Sequence, residues 1–251
     1  MRPLTEAIPK VLLPVAGAPF LHYQLGWLSA HGVNQVVLCI GHLGQAIRDF
    51  VGSGSKWGVE VSYVDEGDCL RGTAGALRLA CDEGALGEWF FVLYGDSFLP
   101  VDFKVVADAF KDRSGSALMT VYKNEGRWDT SNVVFEEGKV ALYDKRATTD
   151  MHYIDYGLSV FRRAVIEAEV PAGEKCDLAA VFHRLSLRGE LLGHEVHSRF
   201  YEIGSPSGLK EFAGFAQQHL GDGLTARTLG KLADPVFDEW NNPKDSEYDD
   251  L

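Results

Sequence analysis

WFFVLYGD, residues 89–96, is the stretch of sequence that decides the fold. Its five consecutive apolar residues, 89–93, predict a strand that is buried on both faces, as the strands of parallel sheets are. A glycine turn and an aspartate, Asp96, follow the strand at once. Ligands of α/β proteins bind beyond the carboxyl ends of such strands, so the pattern predicts that Asp96 lies at a binding site.

Segments of strand and helix character alternate on both sides of this stretch. Helices are predicted at residues 20–31, 44–51, 73–81 and 104–111, and strands at 36–40, 59–64, 89–93 and 116–122. This alternation predicts an α/β protein, a three-layer Rossmann-like sandwich with a mixed, mainly parallel sheet.

The second half of the chain is predicted to be rich in β-structure. Strands are expected at 132–135 and 140–143 around a hairpin turn, and at 155–161, 191–196 and 200–203. Helices are expected at 178–187, with Asp177 as N-cap, and at 207–219. We therefore predict one domain over residues 1–220, followed by an acidic extension, 221–251, outside the core.

Composition excludes several classes of protein. The 251 residues carry 36 acidic and 24 basic side chains, a net charge of −12, which argues against a general affinity for nucleic acid. A few well-placed cations would still suffice to bind phosphorylated small molecules. No apolar run approaches the roughly 18–20 residues of a membrane span, and residues 1–10 lack a signal-peptide core. The four widely spaced cysteines predict reduced thiols and a cytoplasmic protein.

Two motifs could bind a ligand: one a metal ion, the other an anion or a base carbonyl. Asp96 could bind Mg²⁺, because hard cations prefer carboxylate and phosphate oxygens. The other interpretation is an ordinary turn after a strand. Residues 70–77, LRGTAGAL, open a helix with glycines that would let an anion approach its N-terminus. A tight turn between a strand and a helix, with a helix contact made by small residues, explains these glycines equally well.

Three further positions offer charge at the ends of predicted elements. Arg2 and Lys10 lie in a proline-containing stretch, and Lys145 follows a strand, where an ammonium group could meet a phosphate. Glu202 precedes a Gly-Ser-Pro turn into the last helix. Taken singly, each is explained as readily by a solvated arm, a solvated lysine or a glutamate at a strand edge. No serine nucleophile elbow, HExxH motif or Cys/His dyad is present by spacing.

Together and in order, these pieces resemble the sugar-phosphate nucleotidylyltransferases, which make NDP-sugars from an NTP and a sugar 1-phosphate. The resemblance runs from residue 2 to about residue 212 and is closest to the branch that acts on mannose, glucose or heptose 1-phosphates. The motifs that carry it are RPLTEAIPKVLLPV (2–15), EGDCLRGTAGAL (66–77), FVLYGDSFLPVDF (91–103), SNVVFEEGKVALYDKR (131–146), YIDYGLSVF (153–161) and FYEIGSP (200–206).

The resemblance implies a role for each matching residue. Catalytic roles fall to Lys10 at a substrate phosphate, Asp96 at Mg²⁺ and Lys145 at the sugar phosphate. Asp155 and Gly157 are implied to line the sugar pocket. The residues implied to bind the nucleotide are Arg2, Glu66, Gly72, Thr73 and Gly75. Glu202 stands where many members of the family carry an aspartate that completes the metal site, and its longer side chain is a departure.

A second departure concerns the start of the catalytic domain, residues 1–220. Members of the family carry a strand and a GxGTR loop directly before the RPLT run, and this sequence begins inside that signature. The resemblance therefore predicts an N-terminally truncated nucleotidyltransferase domain. It also predicts that the chain as written is poorly stable or weakly active.

The implied reaction is attack of a sugar phosphate oxygen on the α-phosphorus of an NTP, with pyrophosphate leaving. Expected partners are an NTP, a sugar 1-phosphate and a second copy of the chain in a homo-oligomer, but neither nucleic acid nor membrane. The alternative is a non-catalytic homologue that binds sugar nucleotides as a regulatory subunit. A dinucleotide-dependent oxidoreductase is disfavoured, because no GxGxxG follows a first strand.

Overall fold

The computed structural model describes residues 7–113, 115–124, 126–128, 130–146 and 151–220. This part of the chain contains seven α-helices: α1 (Phe20–Ala30), α2 (Gly44–Val51), α3 (Gly72–Asp82), α4 (Phe103–Lys111), α5 (Arg163–Glu169), α6 (Leu178–Leu187) and α7 (Pro206–His219). All but α5 agree with the predicted helices to within a residue at each end. Short 3-10 helices at Lys10–Leu12 and Ser55–Trp57 were not predicted.

The same residues form twelve strands: β1 (Pro14–Val15), β2 (Ala18–Pro19), β3 (Gln35–Ile40), β4 (Glu60–Asp65), β5 (Trp89–Leu93), β6 (Ser97–Phe98), β7 (Ala117–Lys123), β8 (Val133–Glu136), β9 (Lys139–Tyr143), β10 (Tyr153–Arg162), β11 (Leu191–Val196) and β12 (Tyr201–Glu202). Every predicted strand is present. The two-residue strands β1, β2 and β6 were missed, because a run of two residues has no detectable period.

The main sheet has six strands in the order β5-β10-β7-β11-β9-β8. Its pairings are antiparallel except for β7 with β11. The prediction of a mainly parallel sheet is therefore wrong for these six strands. The β-rich second half is the reason, because β8, β9 and β10 follow one another through short connections and pair as antiparallel neighbours. The mixed character of the sheet and the β-rich second half are confirmed.

A second, parallel pair of strands, β3 and β4, lies beside the same helices as β5. Val36 and Leu38 of β3 pack in one hydrophobic cluster with the apolar side of α1, and Phe91 and Leu93 of β5 pack with Leu28 of that helix. Helix α3 contacts the other side of both strands. Its Ala74 and Leu77 share a cluster with Phe90 and Val92, and Cys39 of β3 lies 3.9 Å from the carbonyl oxygen of Ala76.

Residues 36–40 are less buried than predicted. Only Ile40 is fully buried, and Cys39 is exposed. An uninterrupted apolar run therefore marks this strand correctly but overstates its burial. All four cysteines lie in the described residues and are free thiols there.

Local side chains explain where several elements begin and turn. Asp102, Asp177 and Ser205 each accept a hydrogen bond from a main-chain N–H at the start of α4, α6 and α7, which satisfies donors that the helix itself leaves open. Glu137 and Gly138, with φ of 46° and 78°, form the predicted tight hairpin turn between β8 and β9.

Helix α7 closes the domain by packing on the N-terminal segments. The Phe212 ring lies 4.8 Å from that of Phe20 in α1 and 5.0 Å from that of Phe98 in β6. These aromatic contacts hold β12 and β6 together at the end of β5. The predicted acidic extension at 221–251 lies outside the described residues, as does Arg2. Among the helices described, none is long and apolar enough to cross a bilayer.

Candidate active site

Asp96 forms an ion pair with Lys10 directly beyond the end of β5. The Lys10 ammonium lies 2.7 Å from Asp96 Oδ2, and about a third of each side chain remains exposed. Gly95 makes this approach possible, since a Cβ there would lie 3.1 Å from Val11 Cγ1 in the 3-10 helix that carries Lys10. Two side chains that are distant in sequence thus meet where the sequence predicted a site.

Glu202 joins this pair through strand β12. The N–H of Ile203 donates to the carbonyl oxygen of Asp96 at 3.0 Å, and β12 pairs antiparallel with β6. Gly204 keeps the chain close to the lysine, because a Cβ there would lie 3.6 Å from Lys10 Nζ. Lys10, Asp96 and Glu202 therefore come from three separate segments that converge at one point.

The glycines of residues 70–77 serve a contact within the protein. A Cβ on Gly72, whose φ is +73°, would lie 2.7 Å from the carbonyl oxygen of Cys176, and one on Gly75 would lie 2.8 Å from that of Glu174. The N–H groups of Ala74 and Gly75 donate to the Cys176 carbonyl at 3.0 and 3.2 Å. Segment 174–176 thus packs on the first turn of α3, which matches the second interpretation of these glycines.

Glu66 shapes the loop that leads into α3. Its Oε2 accepts a hydrogen bond of 2.6 Å from the Arg71 N–H, and its own N–H donates to the Ile40 carbonyl at 2.8 Å. The carboxylate therefore closes the loop between β4 and α3 beside the end of β3. Binding of a base by Glu66, Gly72, Thr73 and Gly75 stays a prediction.

Asp177 links the start of α3 to Lys145. Its Oδ2 lies 3.4 Å from Lys145 Nζ, and its Oδ1 lies 3.4 Å from the Thr73 hydroxyl. That hydroxyl accepts a 2.7 Å hydrogen bond from the Leu178 N–H. Although burial acts in the opposite direction, the Ala179 N–H and the Lys145 charge hold the pKa of Asp177 below its usual value. The sequence identified Asp177 only as a helix cap.

Asp155 and Gly157 lie at an irregularity of β10. The register of β10 against β7 shifts between residues 155 and 159, and Gly157 has a φ of +102°, where a side chain would be strained. Asp155 Oδ1 accepts a hydrogen bond of 3.0 Å from the Gly157 N–H, and the Asp155 N–H donates to Asn132 Oδ1 at 3.0 Å. These bonds fix the carboxylate against the strand.

Tyr94 connects the turn that carries Asp96 with the irregular part of β10 at Gly157. Its ring would be 3.7 Å from a Cβ at Gly157, and its main chain connects directly to Gly95 and Asp96. Burial, with the charges of Asp155, Tyr143, Asp177 and Asp96, raises the pKa of the Tyr94 phenol above its ordinary value. The phenol therefore stays neutral and can donate a hydrogen bond in a region rich in carboxylates.

Burial raises the pKa of Asp155 to about 6, although the Gly157 N–H and the Lys145 charge oppose the shift and Glu202 adds to it. From 3.8, the ordinary value, to about 6, the folded state holds more protons than the unfolded state. Stability therefore falls as the pH rises through this window. A shift of about two units corresponds to at most roughly 3 kcal/mol at neutral pH.

We therefore expect Asp155→Asn to be more stable than the parent by about 1–3 kcal/mol at pH 7.5. The gap should shrink at pH 4.5, because the parent carboxyl is then largely protonated. Asparagine keeps the oxygen that accepts the Gly157 N–H. Urea unfolding of both proteins at the two pH values measures the effect. A gap of equal size at both pH values contradicts the raised pKa.

The residues around Asp96 fit a magnesium ion that is shared with a substrate. Mg²⁺ is commonly held by one or two carboxylates together with substrate phosphates. Asp96 and Glu202 supply two carboxylates on adjacent segments. The ion pair with Lys10 shows that the Asp96 carboxylate can bind a cationic group. No cluster of three or more His, Cys, Asp or Glu side chains suited to a metal occurs in the residues described.

The chain also matches known proteins. The family model for nucleotidyl transferases covers residues 1–187, so the chain belongs to that family. The glycan-biosynthesis nucleotidyltransferase Agl11 of Haloferax volcanii is 31% identical over 67% of this chain and 47% of its own. The mannose-1-phosphate guanylyltransferase of Mycobacterium tuberculosis is 30% identical over 82% of this chain and 58% of its own.

Solved structures show the same fold. A putative glucose-1-phosphate thymidylyltransferase from Bacillus anthracis superposes with a TM-score of 0.74, at 20% identity, over 86% of this chain and 90% of that one. The inositol-1-phosphate CTP transferase of T. maritima gives a TM-score of 0.71 at 23% identity over 89% and 91%. The chain spans about half the length of several curated relatives that it matches, between 44% and 50%.

Proposed function

We propose that the protein transfers a nucleotidyl group from an NTP to a sugar 1-phosphate, which gives an NDP-sugar and pyrophosphate. The observation that carries the proposal is a pair of lysine–aspartate contacts, Lys10 with Asp96 beyond β5 and Lys145 with Asp177 at the start of α6. The charges of both aspartates act on Tyr94. Family membership and the names of the relatives support the same reaction. Guanylyl-, uridylyl- and thymidylyltransferases of sugar 1-phosphates all occur among these relatives.

The reaction needs positioned charge rather than a nucleophile and a base. An oxygen of the sugar phosphate, already an anion at neutral pH, attacks the α-phosphorus, and the bond from that phosphorus to the bridging oxygen of pyrophosphate breaks. Lys10 and Lys145, each paired with an aspartate, would each neutralise a phosphate. Alignment and electrostatic stabilisation would supply most of the rate enhancement.

In this proposal Asp96 and Glu202 hold Mg²⁺. The ion would supply charge neutralisation at the phosphates of the nucleotide. The pairing of β12 with β6 brings Glu202 to Asp96. Glutamate is one methylene group longer than aspartate, and the position of β12 can compensate for this extra length. Arg2, Glu66, Gly72, Thr73 and Gly75 are proposed on the nucleotide side, and Asp155 and Gly157 on the sugar side.

We also propose the three-layer arrangement. Helices α1 and α3 contact opposite sides of β3 and β5, which supports a central layer of strands between two layers of helices. The four free thiols favour a reducing compartment such as the cytoplasm. A homo-oligomer is part of the same proposal.

We expect Lys145→Met to raise the KM for the sugar 1-phosphate by about tenfold or more, because it removes a charge-assisted contact with phosphate. The KM for the NTP should change much less. Lys145→Arg should restore only part of the loss, since a planar fork replaces a compact ammonium group. Steady-state pyrophosphate release measures all three proteins.

The matched control is Lys139→Met, at the opposite, exposed end of β9. It makes the same chemical change away from the site and should leave both KM values near those of the parent. If Lys145→Met behaves like this control, Lys145 has no place in the site.

A further inference from the structure

Asn132 joins the two segments that carry the proposed sugar-phosphate residues. It lies immediately before β8, and its N–H donates to the Tyr153 carbonyl at 3.0 Å. Its carbonyl accepts the Asp144 N–H at 3.0 Å, next to Lys145. Its side-chain Oδ1 accepts the Asp155 N–H, also at 3.0 Å. Asn132 thus binds the main chain of Asp144, next to Lys145, and the main chain of Asp155.

The side-chain bond lies just beyond the pairing of β8 with β10. Strand β8 pairs with β10 through Val133 and Tyr153, so the ladder between these two strands stops short of Asp155. The amide oxygen of Asn132 supplies the acceptor for the Asp155 N–H beyond the end of that pairing. Without it, the partly buried Asp155 N–H would lack this partner, which a folded chain tolerates poorly.

The hydrogen bond from Asn132 also affects the position of the Asp155 carboxylate. With its N–H held by Asn132, Asp155 can direct Oδ1 back to the Gly157 N–H at 3.0 Å. The charges of Lys145 and Glu202 both act on this carboxylate. The orientation of this carboxylate therefore depends on a side chain outside the site residues that the family resemblance implied.

We propose that Asn132 is a positioning residue that sets the Asp155 carboxylate for recognition of the sugar 1-phosphate, an inference that rests on the proposed function. Asn132 acts through Asp155 and is not itself a catalytic residue. Its two main-chain bonds survive substitution of the side chain. A variant therefore removes the Asp155 contact without releasing the start of β8.

The test compares Asn132→Leu, which removes the acceptor at similar size, with Asn132→Asp, which keeps an accepting oxygen. Pyrophosphate release is measured with the most active pair from a panel of four NTPs and mannose, glucose, heptose and N-acetylhexosamine 1-phosphates, with Mg²⁺. Asn34→Leu is the matched control, because Asn34 is exposed at the far end of β3. Melting temperatures of all four proteins are recorded alongside.

Asn132→Leu should raise the KM for the sugar 1-phosphate at least fivefold and leave the KM for the NTP within about twofold. Asn132→Asp should recover most of that loss, and Asn34→Leu should match the parent. Equal changes in both KM values, or no recovery by Asn132→Asp, would overturn the positioning role while the parent remains active. Absence of pyrophosphate release by the parent with every pair would instead overturn the proposed function, and the inference with it.

Discussion

Asp96→Asn is expected to lower kcat by about 100- to 1000-fold, the usual loss when one preorganised electrostatic group is removed from a site. The substitution conserves size and removes the charge that pairs with Lys10 at 2.7 Å. It also removes one of the two carboxylates proposed to hold Mg²⁺. Raising the Mg²⁺ concentration should restore only part of the rate, because Lys10 also loses its anchor.

The control for this variant is Asp108→Asn. Asp108 forms a Lys–Asp ion pair with Lys104 on the exposed surface of α4 and is not among the proposed site residues. Its loss should leave kcat unchanged and cost little stability, as is usual for exposed ion pairs. Near-parental kcat for Asp96→Asn at limiting Mg²⁺ would remove Asp96 from the catalytic machinery.

Gly72→Ala is expected to have the largest effect on stability, a loss of about 3 kcal/mol or more. An alanine there must adopt a φ of +73°, and its Cβ would lie 2.7 Å from the Cys176 carbonyl oxygen. Segment 174–176 must then move away from α3, which also disturbs the Thr73–Asp177–Lys145 connection. In a domain of this size the loss corresponds to a decrease in Tm of roughly 6–12 °C.

Gly84→Ala separates the cost of the positive φ from the cost of the contact with Cys176. Gly84 follows the same helix, α3, and has a similar φ of +69°. Among the described residues, its chain neighbours aside, no atom lies within 4 Å of a Cβ placed there. Its alanine variant should lose only the cost of the positive φ, about 1–2 kcal/mol. Thermal unfolding compares the pair. Equal losses for the two variants would show that the contact with Cys176 contributes nothing.

Local sequence patterns predicted the elements well. Periodicity located α2, β5, α6 and β11 to the residue, because each has a long apolar pattern and clear punctuation by glycine, aspartate or turn residues. Helix α5 was missed because its seven residues, RAVIEAE, bury only Ile166 and give no amphipathic stripe. Sheet order depends on pairing between distant segments, so the antiparallel character of the main sheet could not be derived from single strands.

Only some of the candidate site residues were predicted, because contacts between distant segments leave no local pattern in the sequence. Asp96, Lys10 and Lys145 stand at ends of predicted elements or in recognisable motifs, and the structure brings Lys10 to Asp96 across 86 positions of sequence. Asp177 and Asn132 were not predicted as site residues, because their contacts with Lys145 and Asp155 cross between separate segments. The Asp177 N-cap signal was visible, but its second contact had no local pattern.

The most direct test of nucleotidyl transfer is pyrophosphate release by the parent chain across the same panel of NTPs and sugar 1-phosphates with Mg²⁺. We expect at least one pair to give pyrophosphate and NDP-sugar in equal amounts, and Asp96→Asn to slow that pair at least 100-fold. If the parent binds an NTP or an NDP-sugar, as measured by calorimetry, but releases no pyrophosphate with any pair, the protein is a sugar-nucleotide-binding homologue and the proposed reaction is wrong.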